Sequence, residues 1–586
     1  MDKGDKAMAI IGIDLGTTNS LVSVWKDSRI QLIPNSLGEF LTPSVVSFGK
    51  DGQVYIGRIA KEMLITNPES TFAEFKRNMG TNYIYQAGGK TYTAQDLSTL
   101  LLRRLKEDAQ NFLGEEVREA VISVPAYFND EKRCATKMAG EMAGLHVERL
   151  INEPSAVAMK HHIQQDVMET FMIVDIGGGT LDVSLVEAFE NMVEIQAVAG
   201  DNYLGGKDFN EAIAMDFYRK QGITENLLTS CEREIVLKEA EELKRDLSKK
   251  QEASRSFFLG GKEFSMDLNN QELIHISVDL LKRIAIPMKK VISDSGVDIE
   301  EIDKIILVGG SSKMPVISGY IRKLLDIEVE ADDTPDESIA VGVGIAAAIK
   351  ERQGDVKDLI LADICPFSLG TELYDGSFSP IIQRNETLPC MRTSYYVTVK
   401  DNQRELTFPI YQGENLTAKD NLKLCELKIT GLPRAPKGEV GARVTFLYDI
   451  NGILDIQIEG DNKQTVHKLI ANKKMGLSEA EIKRRVEELK KVTMHPLEKE
   501  ENRLLIEKAQ SLYQQANPLV RGQIAGMLHY FRDTLEHEKG RNVREAYVRF
   551  SVFLEAMENN RIEFADDDED FWEKWEEEIM EQDMEE

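Results

Sequence analysis

The sequence predicts a multidomain protein in which an α/β domain is followed by a compact antiparallel β domain and then by a helical region. The chain has 586 residues, which is too long for a single hydrophobic core. Short apolar runs alternate with helical patterns up to about residue 350, which is typical of α/β architecture. Short β-rich runs follow, and from residue 475 apolar residues recur at helical spacing.

These changes of pattern place the domain boundaries. We predict an α/β domain over residues 1–354, a linker over 355–363, a β-sandwich domain over 364–474, a helical region over 475–560 and an acidic tail over 561–586. Trp572, Trp575 and Ile579 lie at helical spacing among the acids of the tail. A solubilising tail is the favoured interpretation, and a docking motif is the alternative.

Charge and hydropathy exclude two classes of partner. The net charge is −29, and residues 566–586 alone carry 13 acids and one lysine. Nucleic acid is not an expected partner for so acidic a chain. No stretch approaches 18 uninterrupted apolar residues, so we predict no membrane span. The N-terminus lacks the pattern of a signal peptide, so we expect a cytoplasmic protein.

The α/β domain contains one hairpin plan twice. IIGIDLGTTNSLVSVW and FMIVDIGGGTLDVSLVEA each have an apolar strand, an aspartate, glycine, threonine and a second apolar strand, which suggests an internal duplication. Such a turn exposes backbone N–H groups that can surround a phosphate. Asp14 and Asp175 would repel that phosphate unless a cation intervenes, which predicts Mg²⁺ held through water. A single turn of this kind would be weak evidence, and two are much stronger.

A third turn is ambiguous by itself. LVGGSSKMPVI, residues 307–317, reads as a strand that enters a Gly-Gly-Ser turn and then a helix. It could place its backbone against a nucleoside. The alternative is a tight strand-to-helix turn without a ligand.

Several segments together resemble a known family. IIGIDLGTTNS, FKRNMG, VISVPAYFND, INEPSAVA, FMIVDIGGGTLDVS, DNYLGGKDFN, ILVGGSSKMP, TPDESIAVG and GDVKDLILAD occur in this order. They closely resemble the 70-kilodalton heat-shock protein family, the DnaK-type chaperones, from about residue 9 to about residue 480. The helical end, with MHPLEKEENRLLIEKAQSLY, resembles the short-lid HscC-like branch.

The resemblance implies an ATPase domain with the actin and hexokinase fold, which clamps ATP or ADP with Mg²⁺, and optionally K⁺, between two lobes. Asp14 and Asp175 would hold the magnesium waters. The implied catalytic residues are Lys76, which helps to position the attacking water, with Glu153, Asp14, Asp175, Thr180 and Asp182. The implied ATP-binding residues are Gly16, Thr17, Thr18, Asn19, Gly177, Gly178, Gly179, Gly205, Gly206, Glu241, Lys244, Arg245, Ser248, Gly309, Gly310, Ser311, Lys313 and Asp336.

Two features bear on the nucleoside end of that site. The spacing of Glu241, Lys244, Arg245 and Ser248 puts all four on one helical face. Lys313 stands where the family usually has an arginine that stacks on adenine. Because lysine lacks a planar face, we expect a weaker contact here.

The resemblance also implies residues that couple the domains. Pro125 and Arg133 match the coupling proline and arginine of the family, and Arg149 and Asn152 match the docking site of a J-domain partner. Leu359, Ile360 and Leu361 would dock as an edge strand on the ATPase domain with ATP and leave it with ADP. Asp363 would meet Arg133 or a neighbour. Ala362 replaces the usual leucine, so the docked linker would bury less apolar surface.

The β domain would bind extended apolar peptides through its backbone and small pockets. The implied peptide-binding residues are Tyr374, Tyr396, Val399, Leu406 and Phe408. Thr371 and Ser377 are polar where apolar residues are common, which predicts an altered peptide preference. The alternative is that the aromatic residues fill the β core. The loop after Ser248 is short for the family, so docking of a nucleotide exchange factor stays open.

The predicted function is that of an ATP-dependent molecular chaperone for unfolded proteins, active in protein folding and stress response. ATP hydrolysis to ADP and phosphate would switch its peptide affinity through the linker. A sugar or acid kinase and an actin-like filament protein of the same ATPase superfamily are the competing interpretations. Neither has a use for residues 364–560, and the order of the domains therefore favours the chaperone.

Overall fold

A computed structural model describes residues 9–163, 168–190, 192–351, 359–470, 479–495, 500–516, 518–537 and 541–558. The chain divides into two compact units, residues 1–500 and 501–586, and each is described by itself. The acidic tail with Trp572, Trp575 and Ile579, and the first residues of the predicted linker, lie outside the described residues.

The first lobe of the α/β domain is built on a mixed sheet with strand order β11-β10-β1-β2-β3. Its strands are β1 (Ile10–Asp14), β2 (Asn19–Lys26), β3 (Arg29–Ile33), β4 (Thr42–Pro43), β5 (Val45–Phe48), β6 (Gln53–Ile56), β7 (Thr71–Ala73), β8 (Tyr85–Ala87), β9 (Lys90–Tyr92), β10 (Glu119–Val124) and β11 (His146–Asn152). Its helices are α1 (Arg58–Thr66), α2 (Ala94–Leu113), α3 (Asp130–Met142) and α4 (Glu153–Ile163). Every residue of β1 is buried, as expected for a strand covered on both faces.

The second lobe has a sheet of order β18-β17-β12-β13-β14, with one further strand beyond β14. Its strands are β12 (Glu169–Ile176), β13 (Leu181–Phe189), β14 (Met192–Asp201), β15 (Glu252–Leu259), β16 (Lys262–Asn269), β17 (Lys304–Val308) and β18 (Val329–Ala331). Its helices are α5 (Gly206–Gln221), α6 (Ser230–Leu247), α7 (Asn270–Ile276), α8 (Val278–Ser295) and α9 (Pro315–Leu325). The next helix, α10 (Ser338–Lys350), returns to the first lobe and packs on β1, β2 and α4.

The two lobes repeat one topology. In each lobe an antiparallel hairpin, β1–β2 or β12–β13, lies beside a parallel strand, β10 or β17. The glycine-rich turns predicted from the repeated segments connect the two strands of these hairpins. The duplicated hairpin plan read from the sequence is therefore present in the fold.

The β domain follows the linker strand β19 (Ile360–Ala362) and has two four-stranded sheets, of order β21-β20-β23-β24 and β22-β25-β26-β27. Its strands are β20 (Leu369–Glu372), β21 (Phe378–Ile382), β22 (Cys390–Val397), β23 (Glu405–Gln412), β24 (Leu422–Thr430), β25 (Gly441–Tyr448), β26 (Leu454–Gly460) and β27 (Thr465–Ile470). Buried and exposed residues alternate along β26, as in a strand with one face on a core. The β-rich runs of the sequence, SYYVTV, ELTFPIY, LCELKIT, ARVTFLYDI and LDIQIEG, lie on β22 to β26. Strands β20, β21 and β27 were not predicted.

The first part of the predicted helical region packs on the first lobe. This part comprises α11 (Glu479–Lys490) and β28 (Thr493–Met494), and β28 adds in parallel to the edge of β6. Arg485 donates to both carboxylate oxygens of Asp96, at 2.9 and 2.7 Å, and Leu489 is buried in the core of the lobe. Residues 475–560 were predicted as one helical region, but this part of them belongs to the first unit.

The second unit contains α12 (Glu500–Gln515) from its second residue onward, α13 (Pro518–His537) and α14 (Arg541–Glu558). The helices share one apolar core, in which the rings of Phe531 and Phe550 lie 5.0 Å apart. Lys508 forms an ion pair with Glu558 at 2.8 Å. None of the described helices is long and apolar enough to cross a membrane.

A buried charged cluster lies where α12 begins. Arg104 on α2 lies 3.4 Å from Glu500 and 3.8 Å from Glu107. Asp108, one turn along α2, is only 5% exposed. Burial raises the pKa of Asp108 to about 7, and the negative charge of Glu500 adds to the increase. Between about pH 4 and pH 7 the carboxyl group of Asp108 therefore holds a proton in the folded protein and releases it in the unfolded chain.

This cluster predicts a pH-dependent gain of stability from Asp108→Asn. Because the pKa of Asp108 is raised on folding, its contribution to stability is complete below about pH 4 and is lost as the pH rises through 7. At pH 8 the variant should unfold roughly 4 °C above the unmodified protein, and near pH 4 the two should converge. Calorimetry at both pH values tests this. A variant that melts no higher at pH 8 would contradict the assignment.

Candidate functional site

A cavity of about 510 Å³ lies between the two lobes. Twenty-one of the predicted site residues line it: Asp14, Gly16, Thr17, Thr18, Asn19, Lys76, Glu153, Asp175, Gly177, Gly178, Thr180, Gly206, Glu241, Lys244, Arg245, Ser248, Gly309, Gly310, Ser311, Lys313 and Asp336. The other three, Gly179, Gly205 and Asp182, are not among the lining residues. They lie close behind it, since Gly205 packs on the backbone of Gly178 and Gly179 and Asp182 is paired with Asp175 across β12 and β13.

The glycines are required because the loops around the cavity pack closely, both between the lobes and within the second lobe. A Cβ atom on Gly178 would lie 1.6 Å from the hydroxyl oxygen of Thr18 in the opposite lobe. Gly309 has a φ of +80°, and a Cβ atom there would lie 2.5 Å from a carboxylate oxygen of Asp175. Any side chain at either position would push the loops apart. The spacing of the glycines in the sequence therefore reflects close packing around the cavity.

Four carboxyl groups are buried at one end of the cavity. Asp14 and Glu153 belong to the first lobe, and Asp175 and Asp182 belong to the second. Lys76 is buried with them and donates to Glu153 at 2.6 Å. Burial, together with the charge of Glu153, raises the pKa of Asp14 and of Asp182 to about 7 and that of Asp175 well above its ordinary value. The region therefore has excess negative charge that a cation would relieve.

The arrangement fits a magnesium ion held through water. Asp14 ends β1, and Asp175 lies one residue before the end of β12, so the two lobes each present one carboxylate to the cavity. Among the described residues, no group of three His, Cys, Asp or Glu side chains could hold a metal ion directly. A hydrated Mg²⁺ needs only one or two carboxylates plus phosphate oxygens, so these two residues suffice. The ion would supply positive charge between them and a phosphate.

The opposite end of the cavity is formed by α6 and the turn at Gly310–Lys313. Arg245 donates to Glu241 at 2.8 Å, and Lys61 of the first lobe lies 3.5 Å from the same carboxylate. Lys244 donates to the carbonyl oxygen of Gly206 at 2.8 Å, and burial lowers its pKa to about 8. Lys313 is ion-paired with Asp336. The predicted face of α6 does point into the cavity.

Sequence reasoning missed part of the lining. The additional residues are Leu21, Leu41, Glu74, Lys207, Asn210, Lys249, Met314, Pro335 and Ile339. Five of them lie inside the segments quoted for the family resemblance, as Lys207 and Asn210 lie in DNYLGGKDFN, and Leu21, Glu74 and Lys249 directly adjoin a recognised motif. Leu41 gave no signal, because it lies in a segment without a recognised motif.

The linker is joined to the second lobe as an edge strand. Ile360, Leu361 and Ala362 in β19 pair in parallel with Met192, Val193 and Glu194 in β14. Leu359 and Leu361 pack on the core beneath the sheet, whereas Ile360 is 59% exposed. The linker is docked in the structure.

Asp363 anchors the end of the linker, but not through direct contact with Arg133. Its carboxylate accepts from Asn152 at 2.7 Å and from Ser155 at 3.1 Å. Arg133 in turn donates to the side-chain oxygen of Asn152 at 2.5 Å and to the carbonyl oxygen of Ala126 at 3.1 Å, beside the buried Pro125. Asn152 is thus the neighbour through which Arg133 reaches Asp363.

Contacts that the sequence did not suggest join the β domain to the α/β domain. The buried carboxylate of Asp130 on α3 accepts from Tyr448 at 2.9 Å and from Gln412 at 3.1 Å. The ring of Tyr127 lies 4.5 Å from that of Phe367. Arg384 donates to Asp294 on α8 at 2.5 Å. These pairs are separated by 90 or more residues in the chain, and local patterns carry no signal for them.

The five predicted peptide-binding residues are not equally accessible. Tyr374 is 84% exposed and Val399 44% exposed. Leu406 and Phe408 lie in the core of the β-sandwich, and the ring of Tyr396 packs on Phe408 at 5.6 Å. The structure therefore does not bring the five together on one surface. Leu406 and Phe408 occupy the positions that the alternative interpretation, a filled β core, expects.

The comparison with known protein families gives one match. A family model described as Hsp70 protein matches residues 10–582, nearly the whole chain. Members of that family are ATP-dependent chaperones that bind ATP or ADP with Mg²⁺, and they typically work with client peptides and J-domain cochaperones. The HscC-like branch stays a prediction. With its two-lobed cavity, its linker strand, its β domain and this match, the chain belongs to the Hsp70 family.

Proposed function

We propose that this protein is an ATP-dependent chaperone that binds exposed apolar segments of unfolded proteins and hydrolyses ATP to ADP and phosphate to change its affinity for them. One observation carries the proposal. The linker strand β19 belongs to the same sheet as β12 and β13, which hold the second glycine-rich loop of the cavity. A shift of that loop on nucleotide binding would therefore reach the linker through two neighbouring strands.

The buried charges support hydrolysis by charge stabilisation and positioning. Lys76 is fixed by Glu153 at the end of the cavity that Asp14 and Asp175 also line. In the proposal it holds the attacking water near the terminal phosphate, and Thr180 binds that phosphate. Mg²⁺, held through water by Asp14 and Asp175, would neutralise charge on the phosphates. K⁺ is an optional second cation.

The docked linker supports a nucleotide-dependent switch. In the proposal, ATP favours the state in which Leu359 and Leu361 pack on the second lobe, and ADP favours their release. Ala362 is 8% exposed and buries less apolar area than a leucine would. A J-domain partner would act at Arg149 and Asn152, because Asn152 holds Asp363 and the charge of Asp363 acts on Arg149.

Client recognition is proposed at the surface of the β-sandwich. Tyr374 and Val399 are accessible there, whereas Leu406 and Phe408 would line a pocket only after a rearrangement of the core. Tyr396 is half-buried between these two groups. A nucleotide exchange factor is left open, and the HscC-like branch, a cytoplasmic location and a role in stress response belong to the same proposal.

Lys76→Ala should impair hydrolysis without loss of nucleotide binding. The variant removes the buried ammonium that faces the attacking water, so kcat should fall by about 100-fold. The Kd for ADP should stay within about threefold, since Lys76 lies at the end of the cavity away from α6. Phosphate release and calorimetric ADP binding measure the two quantities. Thr180→Ala should behave in the same way, and unchanged turnover in both variants would contradict the assigned site.

Leu361→Asp should uncouple peptide binding from hydrolysis. A carboxylate at this position cannot pack on the core beneath β14, so the linker should no longer dock. Basal turnover should persist, and stimulation by an unfolded apolar peptide should be lost. Ile360→Asp is the matched control, because that side chain faces away from the core. Equal stimulation of the Leu361→Asp variant and the unmodified protein would refute the role of the linker.

A further inference from the structure

The second glycine-rich loop has three consecutive carbonyl groups that are all held by donors. The carbonyl oxygen of Gly177 accepts from the backbone N–H of Gly206 at 3.0 Å and from the hydroxyl of Ser311 at 2.9 Å. That of Gly178 accepts from the backbone N–H of Lys207 at 2.9 Å. These donors belong to the second lobe, as the loop itself does. Two of the three peptide planes are therefore oriented within one lobe.

The third carbonyl is held from the opposite lobe. The carbonyl oxygen of Gly179 accepts from Nε of Arg77 at 3.0 Å. The same guanidinium donates through Nη2 to Asp208 at 2.9 Å, and that carboxylate oxygen also accepts from the N–H of Gly205 at 2.7 Å. A Cβ atom on Gly179 would lie 2.5 Å from Nε of Arg77, so the fit is close. Arg77 is also well shielded from solvent, with 13% of its side chain exposed.

The direction of this bond fixes the direction of the next N–H group. In a trans peptide the C=O and the N–H point to opposite sides. Because the carbonyl of Gly179 points at Arg77, the N–H of Thr180 points the other way. Arg77 is not among the residues that line the cavity, whereas Thr180 and Lys76 line it. The N–H of Thr180 is therefore turned away from Arg77, and Thr180 belongs to the wall of the cavity that Lys76 also lines.

We propose that Arg77 is a positioning residue for ATP hydrolysis, which holds the Gly179–Thr180 peptide so that its N–H donates to the terminal phosphate when the lobes are closed. The inference rests on the proposed ATPase function. Arg77 and Lys76 occupy one 3₁₀ turn, Phe75–Asn78. The turn that carries Lys76 thus also orients the Gly179–Thr180 peptide. The ammonium of Lys76 and the N–H of Thr180 therefore reach their positions together.

A simpler role for Arg77 would be to hold the lobes together. The adjacent Glu74 does this through its ion pair with Lys207 of the second lobe, at 2.9 Å. That side-chain pair links the same two segments but is not bonded to the carbonyl of Gly179. Glu74→Gln is therefore a matched comparison, which weakens lobe closure without freeing the peptide.

The test compares Arg77→Ala, Arg77→Lys and Glu74→Gln in the full chain. Arg77→Ala should lower kcat by about 10- to 100-fold and change the KM for ATP less than threefold. This loss is smaller than the roughly 100- to 1,000-fold loss on removal of an oriented donor, because the N–H of Thr180 is still present but no longer held. Arg77→Lys should recover part of kcat, because one ammonium can donate to Gly179 but cannot reproduce the fork that also binds Asp208. Glu74→Gln should lower kcat less than Arg77→Ala. Arg219→Ala, an exposed arginine on α5, should match the unmodified protein.

The outcomes separate the inference from the proposed function. Calorimetric ADP binding close to that of the unmodified protein would show that each variant keeps a folded site. Equal losses in Arg77→Ala and Glu74→Gln would overturn the positioning role in favour of lobe closure, and so would a raised KM with kcat unchanged. If Arg77→Ala does not fold, Arg77→Lys and Asp208→Asn decide the question. A lowered kcat with little change in KM supports the positioning role, and a raised KM with unchanged kcat overturns it. An unmodified protein that binds ADP but never hydrolyses ATP would refute the proposed function itself.

Discussion

The site depends on the burial of four carboxyl groups, two from each lobe, around Lys76. Such a group of acids is costly away from water unless a cation or protons compensate it. The raised pKa values of Asp14, Asp175 and Asp182 express this cost. Because the acids belong to different lobes, the same repulsion opposes closure of the cavity. A magnesium nucleotide would bring the compensating charge, so closure and ligand binding become one event.

A second consequence follows from the order of strands. Asp182 lies on β13, β14 pairs with β13, and the linker strand β19 pairs with β14. The carboxyl end of the cavity is thus two strands away from the linker in one hydrogen-bonded sheet. A parallel route passes through Tyr127, whose N–H donates to Asp182 at 3.2 Å and whose ring contacts Phe367 of the β domain. Both routes join the site to the β domain through described contacts.

The cavity between the lobes could be predicted from the sequence, because its residues come from short motifs with fixed spacing. A glycine turn after an apolar strand, or four polar residues on one helical face, predicts the same local structure whatever distant segments it contacts. The linker was also predictable, since Leu359 and Leu361 alternate with the exposed Ile360 as an edge strand requires. Arg77 was overlooked because a basic residue beside Lys76 reads as a solvated charge.

Contacts between distant segments could not be predicted from one sequence. The bond from Tyr448 to Asp130 joins residues that are 318 positions apart, and nothing local to either residue signals the other. The pairing of β28 with β6 is similar, since a two-residue strand has no periodicity. The residues predicted to bind peptide show a different limit of sequence-based prediction. Alternation along β23 identifies Leu406 and Phe408 as residues of one face, but it does not tell whether that face meets a core or a ligand.

Hydrogen exchange at the linker tests the central claim most directly. Backbone amides of residues 359–363 are protected only while β19 is paired with β14. With ATP bound to a variant that hydrolyses it slowly, such as Lys76→Ala, these amides should exchange at least about tenfold more slowly than with ADP. Amides of β1, which lies inside the first lobe, serve as the internal reference. Equal exchange at the linker in the two nucleotide states would contradict the account.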